Sequence, residues 1–148
     1  MKRKIIIDVI SWLIAILFIN VGLSKLLDLH TFRIQLSESP LLGNHVSLIA
    51  LPLPLTEITV AILLIAPSAR KIGMVVSFAL MIIFTGYTIY LLEFAHHIPC
   101  SCGGILKGMS WTMHLYFNSF ITILAGVAIW LLKRERKMFI KGGTTSWA

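Results

Sequence analysis

Residues 5–27 read IIIDVISWLIAILFINVGLSKLL, and the class of the protein follows from them. The hydrocarbon core of a bilayer takes about 20 apolar residues of helix at ~1.5 Å each, and this run is long enough to cross it. Three further runs of the same kind follow at 46–66, 72–92 and 112–132. Together they use most of the chain, leaving room for one domain over residues 1–148 and for no soluble core. Composition agrees: 57% of residues are hydrophobic and 13% charged, where soluble domains carry about 25% charged residues. Mean hydropathy is +0.90. The expected architecture is all-α, an integral, multi-pass membrane four-helix bundle.

The net charge of +7 is distributed as a topology signal. Lys2, Arg3 and Lys4 precede the first run, Arg70 and Lys71 separate the second from the third, and Lys133, Arg134, Arg136, Lys137 and Lys141 follow the fourth. Lys25, Arg33 and Lys107 are the few positives in the two other connections. Positive residues favour the cytoplasmic side, so both termini and the 67–71 turn are expected inside, with 133–148 a basic cytoplasmic tail. That leaves nothing for nucleic acid to explain; the expected surroundings are membrane lipid. The first run is longer than a signal-peptide core and no A-x-A-like site follows it, so it is expected to be retained.

Between the first two runs, residues 28–44 form the longest polar stretch, and Phe32, Ile34 and Leu36 suggest a short interfacial segment within it. Pro52 and Pro54 are expected to bend the second span, because each lacks a donor and crowds the preceding turn. Trp111 stands where interfacial aromatics gather, and Tyr90 and Trp130 read as packing or interface anchors.

Polar residues inside apolar spans are costly and therefore informative. Counting ~1.5 Å per residue puts Glu57, Asn20, Thr85, Tyr87 and Asn118 at one level, ~10–15 Å below the outer surface. The long stem of Lys25 can reach from nearer the surface toward Glu57. Asn20, Thr85 and Asn118 also suit simple interhelical hydrogen bonding, whereas an intramembrane carboxylate such as Glu57 is by default a functional residue.

The chain's only cysteines fall in Pro99-Cys100-Ser101-Cys102-Gly103-Gly104, between the third and fourth runs and so expected outside. A structural cysteine is usually single and buried in a helix, which this pair is not. A bond between Cys100 and Cys102 would close a small, constrained ring, and strained, exposed disulfides are the labile or catalytic ones. A neighbouring imidazolium favours the thiolate, so His96 and His97, with Glu93 just before them, are candidates for tuning the thiols. The same residues suit copper or zinc. The tight spacing and the lack of a methionine-rich tract favour redox chemistry, and no metal is expected.

Three stretches resemble a known group of proteins. Gly22-Leu23-Ser24-Lys25-Leu26-Leu27-Asp28 resembles the G-x-x-K-L-x-D signature of DoxX-like membrane proteins, and Leu51-Pro52 to Glu57 resembles the proline-then-glutamate pattern of their second helix. Cys100-Ser101-Cys102-Gly103-Gly104 resembles the C-x-C-[FG]-G motif of the MauE branch, the methylamine utilisation membrane proteins, although many of those carry phenylalanine where Gly103 stands. Asn118 early in the last run also fits.

The resemblance implies a redox-associated protein of the inner membrane, acting with a periplasmic thioredoxin-like or maturation partner as a component of thiol–disulfide oxidoreduction. Carried over, Cys100 and Cys102 would be the exchanging thiols, and Lys25, Asp28, Glu57 and Asn118 a polar constellation below them. Quinone is the cofactor that the wider group suggests. The alternatives are a periplasm-facing metal-binding or transport protein and a non-catalytic assembly factor. The residues leave open the client, the electron acceptor, the direction of electron flow and which cysteine attacks.

Overall fold

A computed structural model describes residues 2–94 and 110–143, with side-chain surroundings for 4–94 and 110–134. Every regular element in it is helical. Helix α1 spans Lys2–Leu27, α2 Leu29–Ser37, α3 Val46–Ile49, α4 Pro52–Ile65, α5 Arg70–Phe94 and α6 Trp111–Gly143, with one 3₁₀ turn at Gly43–His45.

Helix α1 shows why the apolar runs pack as they do. Ile7, Ile10, Ser11, Ile14, Ala15 and Phe18 recur at helical spacing and are buried. On the remaining faces Ile5, Ile6, Val9, Trp12, Leu13 and Ile16 are 44–59% exposed, although all are apolar. A helix that is apolar all round and half uncovered belongs in lipid. Three helices are long and apolar enough to cross a membrane, at Lys4–Leu27, Arg70–Phe94 and Trp111–Arg134.

The second span is bent at its prolines, as expected, and the bend is a full break in the helix. It is not one helix over 46–66 but two pieces, Gly43–Ile49 and Pro52–Ile65, meeting at 47°. Pro52 and Pro54 can give no N–H to the carbonyls four residues back, so the helix cannot continue through Ala50 and Leu51. Both prolines instead occupy the first turn of α4, where a missing N–H costs nothing. Counted as one broken span, this pair brings the crossings to four.

Helix α1 packs along α4, α5 along α6, and contacts of α4 with α5 and α1 with α6 complete the arrangement. Its core is Ile10, Ile14, Phe18, Val60, Leu64, Met74, Met81 and Ile121, with Ala15, Ala61, Ala125 and Ala128 between them. Small residues let backbones approach, which is how helices associate where no hydrophobic force separates protein from lipid. Gly73 is the clearest case: a Cβ there would lie 2.8 Å from the backbone nitrogen of Leu64. At the same end Arg70 pairs with Asp8 of α1, and its Nε donates to the Leu64 carbonyl at 3.2 Å. One cation thus ties the start of α1 to the end of α4.

At the opposite end, α2 closes the molecule. The Asp28 carboxylate accepts from the Thr31 N–H at 3.2 Å and so starts this helix. Leu36 turns inward and is buried. The loop that follows is held to α5 by a 2.7 Å hydrogen bond between Ser39 Oγ and Tyr87 Oη. Helix α6 continues past the expected end of its span, so residues 133–143 of the basic tail begin as an extension of the helix.

Candidate functional site

Lys25 lies in the last turn of α1 and Glu57 near the start of α4. Gly22 sets how closely those helices approach: a Cβ on it would lie 3.0 Å from Ile58 Cγ1, 3.1 Å from the Pro54 carbonyl oxygen and 3.3 Å from Glu57 Cβ. With α4 drawn in this far, Lys25 Nζ donates to Glu57 Oε1 at 2.5 Å. Glu57 is fully buried and Lys25 is 9% exposed.

The ammonium of Lys25 is also 5.5 Å from the ring centroids of both Phe32, on α2, and Phe84, on α5. Aromatic faces attract a cation, most strongly where water is excluded. The charge is therefore held by a carboxylate and two rings from three different helices. Breaking such a buried pair by removing one partner costs about 3–5 kcal/mol, because the other charge is stranded.

Beside the pair opens a cavity of about 300 Å³. Its walls are mainly apolar, with Phe32, Phe84, Trp111 and Phe117 supplying rings. Its polar groups include Lys25, Glu57, Tyr87, Thr88, His114 and Asn118. Asn118 Nδ2 donates to Thr88 Oγ1 at 3.5 Å, and Thr88 Oγ1 donates to the Phe84 carbonyl at 2.8 Å. Trp111 and His114 meet edge to face with centroids 6.0 Å apart. One polar atom stands apart. Glu57 Oε2 is the sole buried side-chain nitrogen or oxygen, among the described residues, that has no hydrogen-bond partner.

The structure brings Lys25, Glu57 and Asn118 to this cavity and leaves Asp28 out, exposed and capping α2. Glu93 is exposed at the end of α5. Cys100, Cys102, His96 and His97 lie outside the described residues. Of the polar level read from the sequence, Tyr87 lines the cavity, whereas Thr85 faces α6, donating to the Met81 carbonyl at 2.7 Å and lying 3.4 Å from Thr122 Oγ1. Asn20 is half-buried and no part of the wall.

His114 and Thr88 went unread. His114 stands four residues before Asn118 on α6, hence on the same face. Thr88 stands three after Thr85. Helical spacing from Asn118 was the signal that pointed to His114.

Apolar helices with lipid-facing sides and a ring-lined cavity with a buried ion pair in its wall define a multi-pass helical membrane protein. Within that class the chain belongs to the MauE family, whose description, "Methylamine utilisation protein MauE", matches residues 3–131. The match takes in every cavity residue named above and both cysteines. Neither a curated protein nor a solved structure matches the chain.

Proposed function

We propose that this chain is a redox component of the inner membrane that exchanges thiols and disulfide with a periplasmic thioredoxin-like partner, in the methylamine utilisation that its family description names. In this reading four spans form a bundle, both termini are cytoplasmic, and the Cys100–Cys102 segment is periplasmic. The observation that carries it is one of chain connection. The only cysteine pair lies on the stretch joining two cavity-lining helices, α5 with Tyr87 and Thr88 and α6 with Trp111 and His114.

A partner thiolate attacks the Cys100–Cys102 disulfide, whose S–S bond breaks as a mixed disulfide forms. The second partner thiol then displaces the chain's cysteine. Two electrons and two protons have passed to Cys100 and Cys102, and the partner has gained a disulfide.

The cavity fits a flat, apolar ring with polar substituents. Phe32, Phe84, Phe117 and Trp111 offer faces and edges, and the polar groups gather around Lys25 and Glu57. A lipid-phase quinone bound there supplies a two-electron, two-proton acceptor for the thiols. Lys25 and Glu57 lie in the wall of this site, and α2 shields it.

The test is trapping. Purified Cys102→Ser and Cys100→Ser proteins are mixed with a thioredoxin-like protein that lacks its resolving cysteine and carries its attacking cysteine as a thionitrobenzoate mixed disulfide, and are run on non-reducing gels. One variant is expected to form a reductant-sensitive adduct and the double variant none. No adduct from either single variant would overturn the reading.

A further inference from the structure

We infer that the cavity opens sideways into the bilayer between α4 and α5, and that the groove leading from this mouth holds the hydrocarbon chain of the ring ligand. The inference rests on the reading of the cavity as a ring-ligand site given above.

One residue marks the mouth. Ile83 lines the cavity and is 62% exposed, whereas every other wall residue among the described residues is buried or half-buried. It stands near the middle of the 25-residue α5, at the depth of the hydrocarbon core, so it is lipid that meets it. The outer side is covered instead. Phe32, Gln35 and Leu36 of α2 form part of the wall, and the Ser39–Tyr87 hydrogen bond holds the following loop to α5.

Helical spacing shows which side of α5 the mouth lies on. Val76 stands seven residues before Ile83, two turns less about 20°, and so on the same side. That side faces α4, because Val76 lines a groove together with Thr56, Thr59, Val60 and Leu63. From Ile83 to Val76 is about 10.5 Å along the axis. Just beyond, the seam closes: a Cβ on Gly73 would lie 2.8 Å from the Leu64 backbone nitrogen and 2.9 Å from the Leu63 carbonyl carbon. A strip of lipid-facing surface thus leads from the cavity mouth to a point where the two backbones touch.

Its lining suits a hydrocarbon chain. Thr56 Oγ1 donates to the Pro52 carbonyl and Thr59 Oγ1 to that of Leu55, each at 2.8 Å, so neither has an O–H left for a polar group in the groove. Val60, Leu63 and Val76 supply only hydrocarbon. A water-soluble ring would leave this groove unused. A ring carried on a single long chain fills both, and it is already dissolved in the phase into which the mouth opens. The ligand class is therefore a lipid-borne, chain-bearing ring compound. A chain that leaves lipid for an apolar groove gains little affinity by the move, since lipid tails are equally apolar. What the groove fixes is where the chain lies.

The experiment accordingly locates the chain. A fully substituted benzoquinone with a diazirine at the end of a decyl chain is photolysed with the full-length Cys100→Ser/Cys102→Ser protein in lipid nanodiscs, and adducts are mapped by peptide mass spectrometry. A parallel sample contains excess tetramethylbenzoquinone, which has the ring and no long chain. Adducts suppressed by this competitor report chains whose ring occupies the cavity. They are expected on residues 55–63 and 76–83. Ile83→Trp, which narrows the mouth, is expected to lower them at least fivefold. Ile82→Trp, at an exposed position outside the cavity wall, is expected to leave them unchanged. Suppressible adducts confined to residues 29–42 would place the chain at the outer surface and overturn the inference, as would equal effects of the two substitutions; either result leaves the ring-ligand reading standing. If no adduct is suppressible, the ring-ligand reading fails and the inference with it. The thiol adducts that test the redox reading are independent of every one of these results.

Discussion

A Cβ placed on Gly22 would lie 3.1 Å from the carbonyl oxygen of Pro54, so α1 and α4 meet backbone to backbone one turn from the Lys25–Glu57 pair. Backbone cannot move aside as a flexible side chain can. Gly22→Leu is therefore expected to lower the thermal midpoint in detergent and to weaken ring-ligand binding. Gly86, where an added Cβ would meet nothing within 4 Å, supplies the control. Gly86→Ala should hold or raise stability, by up to about 1 kcal/mol from helix propensity. Equal effects of the two substitutions would show that α1 and α4 are not in such close contact.

The Lys25–Glu57 pair should behave as a unit. Lys25→Met or Glu57→Leu alone is expected to destabilise by about 3–5 kcal/mol, since each strands a buried charge. The double substitution should recover most of that loss. A double-mutant cycle on unfolding in detergent reads the coupling, and additive losses would contradict the buried pair.

At the other end of the molecule, the ion pair of Arg70 with Asp8 is partly open to solvent, the Asp8 side chain being 39% exposed. Asp8→Asn is expected to cost less than about 1 kcal/mol and to lose most of its effect at high salt. Thermal unfolding in low and high salt checks this. A salt-independent loss comparable to that of Lys25→Met would show the pair to be sealed from water.

Tyr87→Phe removes one hydroxyl and with it the bond to Ser39. The expected global cost is about 1 kcal/mol. Locally, amide hydrogen exchange should quicken over residues 29–42, the segment covering the cavity, and stay unchanged at the Arg70 end of α5. Unchanged exchange over 29–42 would mean that this bond does not hold α2 in place.

How much of this was legible depended on what kind of signal each residue carries. The apolar runs were readable because every residue in them contributes to the same sum. Pro52 and Pro54 marked the bend, yet composition could not show that α4 starts afresh there, because that depends on where the prolines fall in the hydrogen-bond ladder. Lys25 and Glu57 could be matched from depth and stem length alone. Thr88 could not be told from Thr85: three residues at 3.6 per turn set them about 4.5 Å apart in depth and about 60° apart around the axis. Only the neighbours decide which faces the cavity and which faces α6. Asp28 was singled out only through the resembling motif, and the structure shows it as the cap of α2.

The central claim is that Cys100 and Cys102 form an outward-facing, exchangeable disulfide. Its most direct test is alkylation of intact cells with a membrane-impermeant thiol reagent, before and after a reductant, against the Cys100→Ser/Cys102→Ser control. The account predicts no labelling before reduction and labelling of both cysteines after it. Labelling without reductant, or none after it, would contradict the account.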